Sequence, residues 1–336
     1  MHGKEVFKGK ARISEINAVA VVIILMKGEA TVKKIIIIAT VLGLVLASFT
    51  PSSAHQRTDR NWAAVQVPID VDGVRNLNVD GDLSEWDNVP SIFWVTQDDL
   101  IEVVTGTQGD PDPGNLAERI IVGWSPETNL VYVMEERFDD LWYGTLDDTN
   151  DKLELVLDAD HSGGQFQGDI EGLDPERWAG ATAQDWQQSL NNPDNNLWLW
   201  GGGVWASVEP YAGIRWNVEG EAGGPATLFQ ESWFTTFDDL PASSTGPDDP
   251  DLITHTLEEG QVMGIGMAIQ DDDNGPGNSY NGYWVSTGDI NMYFHADSLV
   301  DYVLLGFDEE IWVAGEDSPT SVEDDTWGRI KAGFSK

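Results

Sequence analysis

The sequence predicts an all-β fold, an antiparallel β-sandwich of jelly-roll type with long acidic and Trp-rich loops. Three observations carry that expectation. Short segments alternate apolar and polar residues, as in "KLELVLD" (152–158), which suits a strand with one buried face. Turn residues punctuate these segments closely, with 35 Gly and 15 Pro among 336 residues. Long amphipathic helices that could cover a parallel sheet are missing until the last twenty residues.

Taken in order, the chain opens with a segment that reads as an export signal, residues 1–54. The apolar run "IIIIATVLGLVLAS" (35–48) follows Lys33 and Lys34, and Ser52 and Ala54 are small residues at the positions a signal peptidase reads. The run is short for a bilayer span and no basic stop-transfer flank follows it. Cleavage after Ala54 and secretion are therefore expected over an uncleaved anchor, with no stable membrane span afterwards. Met26 is a second candidate start. Residues 55–75 read as a lead-in to a domain spanning 76–314.

Within that domain, "NLNVDGDLSEW" (76–86) reads as a strand running into an Asp-Gly turn, and 119–137 as a hairpin around Pro126–Asn129. Further strands fit 152–160, 212–220, 226–237, 262–271, 282–288 and 298–307. Residues 165–203, rich in Asn, Gln, Asp, Gly and Trp, read as irregular with at most a short helix. The stretch "PASSTGPDDPDL" (241–252) reads as an inserted loop. From 315 to 336 a linker leads to a short amphipathic helix with Trp327, Ile330 and Phe334 at helical spacing, a docked terminus or a surface-retention tag.

Charge narrows the partners. The formal net charge is −40, and residues 55–336 hold 11 Lys+Arg against 55 Asp+Glu. Nucleic acid and anionic lipid need a basic surface, so both are excluded. An acidic surface suits salty water, bound divalent cations, or both. With no cysteine, an exported chain must hold its fold by core burial and metal instead of disulfides.

Cation loops stand out from the general acidity. "DADHSGGQFQGD" (158–169) places oxygens on Asp158, Asp160 and Ser162 at every second position, then glycine, with Asp169 at the twelfth position. The spacing is close to an EF-hand loop, but a strand precedes it and the twelfth residue is the shorter Asp. A calcium loop on a sheet edge is expected, with a plain Asx turn as the competing reading. "DDDNG" (271–275) offers Asp271 and Asp273 for a second calcium site.

At "LNVDGDLSEWDNVP" (77–90) the chain resembles family 9 carbohydrate-binding modules and related DOMON-like sugar-binding domains. Val79, Asp80, Gly81 and Trp86 match their opening turn, and the later segments follow the family's order through "HADSLVDYVLL". The resemblance implies a β-sandwich, often with structural calcium, that binds an extracellular glycan or polysaccharide without cleaving it. It further implies a sugar clamped between two Trp side chains with Glu, Arg and Asn beside it. Glu154 matches the glutamate and Trp284 the second Trp. Asp148 stands where the first Trp belongs, so Trp142 is the substitute, and Gln188 falls near the polar positions. Trp284 sits beside a Gly- and Asn-rich loop, where an indole can stack on the C–H face of a pyranose; core packing is the competing role.

Other classes remain open. Carboxylates are abundant enough for a glycosidase pair, but no two stand out, and hydrolase, zinc and phosphate motifs are missing. A haem-binding DOMON-like domain would draw axial ligands from Met134, His161, Met263, Met267, Met292 and His295. A structural or adhesive surface protein that has lost sugar binding is the third alternative.

Overall fold

A computed structural model describes residues 62–69, 77–103, 112–146, 151–167, 180, 182–188, 190–191, 196–200, 203–276 and 280–312. The expected signal segment, Asp169 and the C-terminal tail lie outside the described residues.

The fold is all-β. Its strands are β1 (Trp62–Gln66), β2 (Val95–Thr96), β3 (Ile101–Glu102), β4 (Leu116–Ser125), β5 (Leu130–Trp142), β6 (Lys152–Asp158), β7 (Gln184–Gln188) and β8 (Leu197–Leu199). They continue with β9 (Ala212–Gly220), β10 (Gly224–Thr235), β11 (Phe237–Asp239), β12 (Ile253–Thr254), β13 (Val262–Asp271), β14 (Gly282–Val285) and β15 (Val300–Leu304). The alternating segments of the sequence became the long strands. β4 and β5 pair over their full length, from Leu116 opposite Asp139 to Ser125 opposite Leu130. Asn129 closes that hairpin at φ 56°, a left-handed conformation that Asn tolerates better than most residues.

Among the described residues, strands run in the order β8-β7-β6-β13-β15-β1-β4-β5-β10-β9. All pairings are antiparallel except the two made by β1. Its first three residues pair parallel with β15 and its last two parallel with β4. The expected wholly antiparallel arrangement therefore gives way to a mixed sheet, and the supposed lead-in supplies the strand that joins its two arms. The sequence of β1, WAAVQ, fits that place: buried on both faces, it reads as a continuous apolar run without alternation.

Both arms feed one core. Leu155, Leu157, Met267 and Trp284 from one side meet Ile120, Val122, Val133 and Leu228 from the other. A second cluster, with Trp86, Met134 and Trp312, covers the outer face of β4 and β5. A third, with Tyr283, Val285, Met292 and Leu299, covers the outer face of β6, β13 and β14. The haem candidates Met134, Met263, Met267 and Met292 are divided among these three clusters.

Two expectations fail locally. Residues 77–79 form no strand, because the amides that follow are taken by a side chain: Asp80 and Gly81 donate to Glu231 Oε2, both at 2.9 Å. Residues 165–203 are not irregular throughout, since they contain β7 and β8. Every residue of β7, QDWQQ, is buried although four of the five are polar, so hydrophobic alternation could not reveal it.

Candidate functional site

Strand alternation builds a cleft on the outer face of β6, β7, β13 and β14. Along β6, Leu153 and Leu155 enter the core, which turns Lys152 and Glu154 outward. On β7, inward Trp186 sets Asp185 and Gln187 outward. On β14, inward Trp284 sets Tyr283 outward. Register then aligns these side chains: Glu154 lies between Ala268 and Gln187, and Gln270 lies between Lys152 and Tyr283. Together with Gln167 they floor a pocket of about 360 Å³, walled by Tyr280, Tyr293, Phe294 and Trp200.

The floor is hydrogen-bonded within itself. Tyr283 Oη donates to Glu154 Oε2 at 2.7 Å, and Gln270 Nε2 donates to the same oxygen at 3.2 Å. Lys152 Nζ donates to Gln187 Oε1 at 3.1 Å, and Gln167 Nε2 to Asp185 Oδ2 at 2.7 Å. Burial, and after it the adjacent Glu154 carboxylate, hold the Asp185 carboxyl well above the usual range. While protonated it donates where its neighbour accepts. Burial and Glu154 likewise raise the Tyr283 phenol, which stays a donor at neutral pH. The arrangement offers aromatic faces around a rim of paired donors and acceptors, the lining that fixes and orients a small polyol.

Of the residues singled out in the sequence, Glu154 reaches this cleft. Trp284, 3 % exposed, and Trp142, 2 % exposed, lie in the shared core. Gln188 faces inward as well, accepting from Leu153 N at 2.9 Å and donating to Glu135 Oε2 at 3.1 Å. The offset of Trp284 is one residue: a strand position shifted by one points to the opposite face, so Tyr283 joins the floor of the cleft. Tyr280, Tyr283, Tyr293, Trp200, Asp185 and Gln187 were not singled out. The phase of β6 held the signal, since Leu153 and Leu155 inward require Glu154 outward, and its partners must share that phase.

The cation candidates part company. Asp158, Asp160 and Ser162 do share one turn, but Asp158 accepts from Ser162 N at 3.2 Å and Gly163 N at 2.8 Å, and Asp160 accepts from Ser162 N at 3.0 Å. Those carboxylates brace the loop's own amides, the arrangement of an Asx turn. His161 Nε2 lies 2.9 Å from Asp301 Oδ1. Asp271 instead joins Asp139 and Asp151 in a buried group, and Asp273 joins Asp139 and Asp140 beside it. Burial and then neighbouring carboxylates push Asp139 up to about 8; burial pushes Asp151 up to about 7. The Oδ2 of Asp139, a residue 2 % exposed, has no hydrogen-bond partner. An all-oxygen set of this density fits a hard cation such as calcium.

No protein-family model matches the chain, and no curated protein matches it. Among solved structures, the chain is similar to a family 9 carbohydrate-binding module from Caldicellulosiruptor kristjanssonii in complex with cellotriose. The match has 12 % identity and a TM-score of 0.45, and covers 77 % of this chain and all of that one. The same module in complex with glucose matches at 11 % identity and a TM-score of 0.44, over the same shares.

Proposed function

We propose that this protein is an exported, non-catalytic glycan-binding domain whose ligand sits in the Glu154–Tyr283 cleft, and that calcium stabilises it. One observation carries the reading: a floor of polar side chains, mutually hydrogen-bonded and aligned by strand register, is ringed by two tyrosines, a phenylalanine and a tryptophan. A pyranose has the matching chemistry, with C–H faces for the rings and hydroxyls for Glu154, Asp185 and Gln187. We read the two arms of the sheet as the layers of a β-sandwich, which makes the cleft a fixed surface on rigid strands.

The two carboxyls of the cleft do not suit hydrolysis. Glu154 and Asp185 are within hydrogen-bonding range of each other, whereas glycosidase pairs stand about 5 to 9.5 Å apart to flank a bond or admit water. Asp139, Asp151 and Asp271 would hold the calcium. Their place near the strand ends makes the ion a structural clamp that removes mutual repulsion among buried carboxylates.

Retention on insoluble polysaccharides tests the binding claim. The protein should be held on at least one neutral polysaccharide, and Glu154→Gln should weaken that hold at least tenfold with its melting temperature little changed. Equal retention of Glu154→Gln and wild type would remove the cleft from the account. Adhesion through another surface would then explain any binding.

A further inference from the structure

β8 sends Leu197 and Leu199 into the core, so Trp198 and Trp200 stand together on the outer face of the sheet's edge strand. They are 50 % and 41 % exposed, while Trp86, Trp124, Trp142 and Trp186 are at most 2 % exposed. Their indoles stack on each other with centroids 5.3 Å apart and planes 26° from parallel. Leaving two such rings in water is costly, and paired exposed aromatics of this kind mark a binding surface.

We infer that the Trp198–Trp200 pair is a second sugar subsite, so that the protein takes a neutral oligosaccharide of three or more rings across its strands. This rests on the glycan reading of the cleft and extends it. Register supplies the continuity: Glu154 is opposite Gln187, and Gln187 is opposite Trp198. Trp200 itself lines the pocket, and its amide donates to Asp185 O at 2.9 Å. From Glu154 to Trp198 is two strand spacings, about 10 Å, about the advance of two linked pyranose units. A chain with one ring over Glu154 therefore passes over Gln187 and brings its third ring against the stacked indoles.

Charge selects the class of chain. Among the described residues lining the cleft, Lys152 is the one cation, and Glu154 beside it offsets its charge, within a protein of formal net charge −40. Uronate or sulfated polymers would meet repulsion on approach to so acidic a protein. Neutral and N-acetylated chains would not.

Calorimetry on the whole protein tests this with matched pairs: glucose and cellotriose, xylose and xylotriose, mannose and mannotriose, N-acetylglucosamine and its trimer, galacturonate and its trimer. A neutral trimer should bind more tightly than its monomer by about tenfold, the factor that about 1.4 kcal/mol of stacking supplies. Trp198→Ala should reduce that trimer to about the monomer's affinity and leave the monomer unchanged, while Trp198→Phe should keep most of the gain. Glu154→Gln should weaken both. If Glu154→Gln weakens both sugars but Trp198→Ala changes neither, the second subsite is overturned and the cleft stands. If Glu154→Gln changes neither, or no member of the panel binds, the cleft reading falls and takes the subsite with it. A uronate trimer binding as tightly as a neutral one overturns the charge argument.

Discussion

Glu231 holds the turn that gives the chain its family resemblance. Its Oε2 accepts from the amides of Asp80 and Gly81, and its Oε1 accepts from Trp86 Nε1 at 2.8 Å. Gly81 sits at φ 84°, which a residue without Cβ adopts freely, and Trp86 lands against Trp312 with centroids 5.4 Å apart. The Asp-Gly-to-Trp motif was legible as a turn. The carboxylate that clips it lies some 150 residues downstream and was not. Glu231→Ala leaves three donors without their acceptor, so urea unfolding should report a loss of about 3 kcal/mol. A loss under about 1 kcal/mol would mean that the turn is held by the packing of Trp86 alone.

Asp185 makes the second prediction at this scale. Its folded-state pKa is raised, so above about pH 4 the folded chain keeps a proton that the unfolded chain releases. That stability is fully present below the unfolded value and is lost as pH rises through the folded one. Asp139, Asp151 and Asp158, raised to about 8, 7 and 6, act in the same direction. In chelator-treated protein, stability should therefore fall between about pH 4 and pH 8. Asp185→Asn, which resembles the protonated acid, should make that fall shallower. An unchanged slope in the variant would show that Asp185 ionises as readily folded as unfolded.

At the scale of elements, the period of two decides what was legible. β4, β5, β6, β10 and β13 announced themselves by alternation, and the structure places them where the sequence did. β7 did not, because four of its five buried residues are polar and mimic a loop, and β8, three residues long, is too short to show a period. The same rule separates Trp284 from Tyr283 by a single residue. It also explains Glu135, Arg137 and Asp139, which carry the inward phase of Val131 and Val133 along β5. Arg137 there donates from Nε to Glu118 Oε1 at 2.7 Å and from Nη2 to Glu135. In the sequence this segment reads only as one arm of a hairpin, because the partners of Arg137 become known only once β4 and β5 are paired. Trp284→Ala should cost about 3 to 5 kcal/mol through the cavity it leaves. Trp198→Ala, on the exposed edge, should change stability by about 0.5 kcal/mol or less. Comparable losses at the two positions would contradict the assignment of faces.

For the whole molecule, the acidity and the missing cysteines set a requirement that composition alone expressed: something must offset clustered negative charge in a fold without disulfides. Composition could point to calcium, but only tertiary pairing could bring Asp139, Asp151 and Asp271 together from three strands or their ends. Millimolar calcium should raise the melting temperature, by mass action on the folded state, with about 2.7 kcal/mol expected at a hundredfold excess over Kd. Asp271→Asn should remove most of that rise, and Asp160→Ala should leave it. The reverse pattern would move the ion to the 158–162 turn.

The central claim is that a sugar ring lies on the Glu154 floor against Tyr283, and a crystal structure of the protein soaked with a neutral trisaccharide it retains tests that most directly. One ring should lie against Tyr283 with hydroxyls in hydrogen-bonding distance of Glu154, and the third ring over Trp198 and Trp200. A trisaccharide bound on any other face, with the cleft empty, would contradict it.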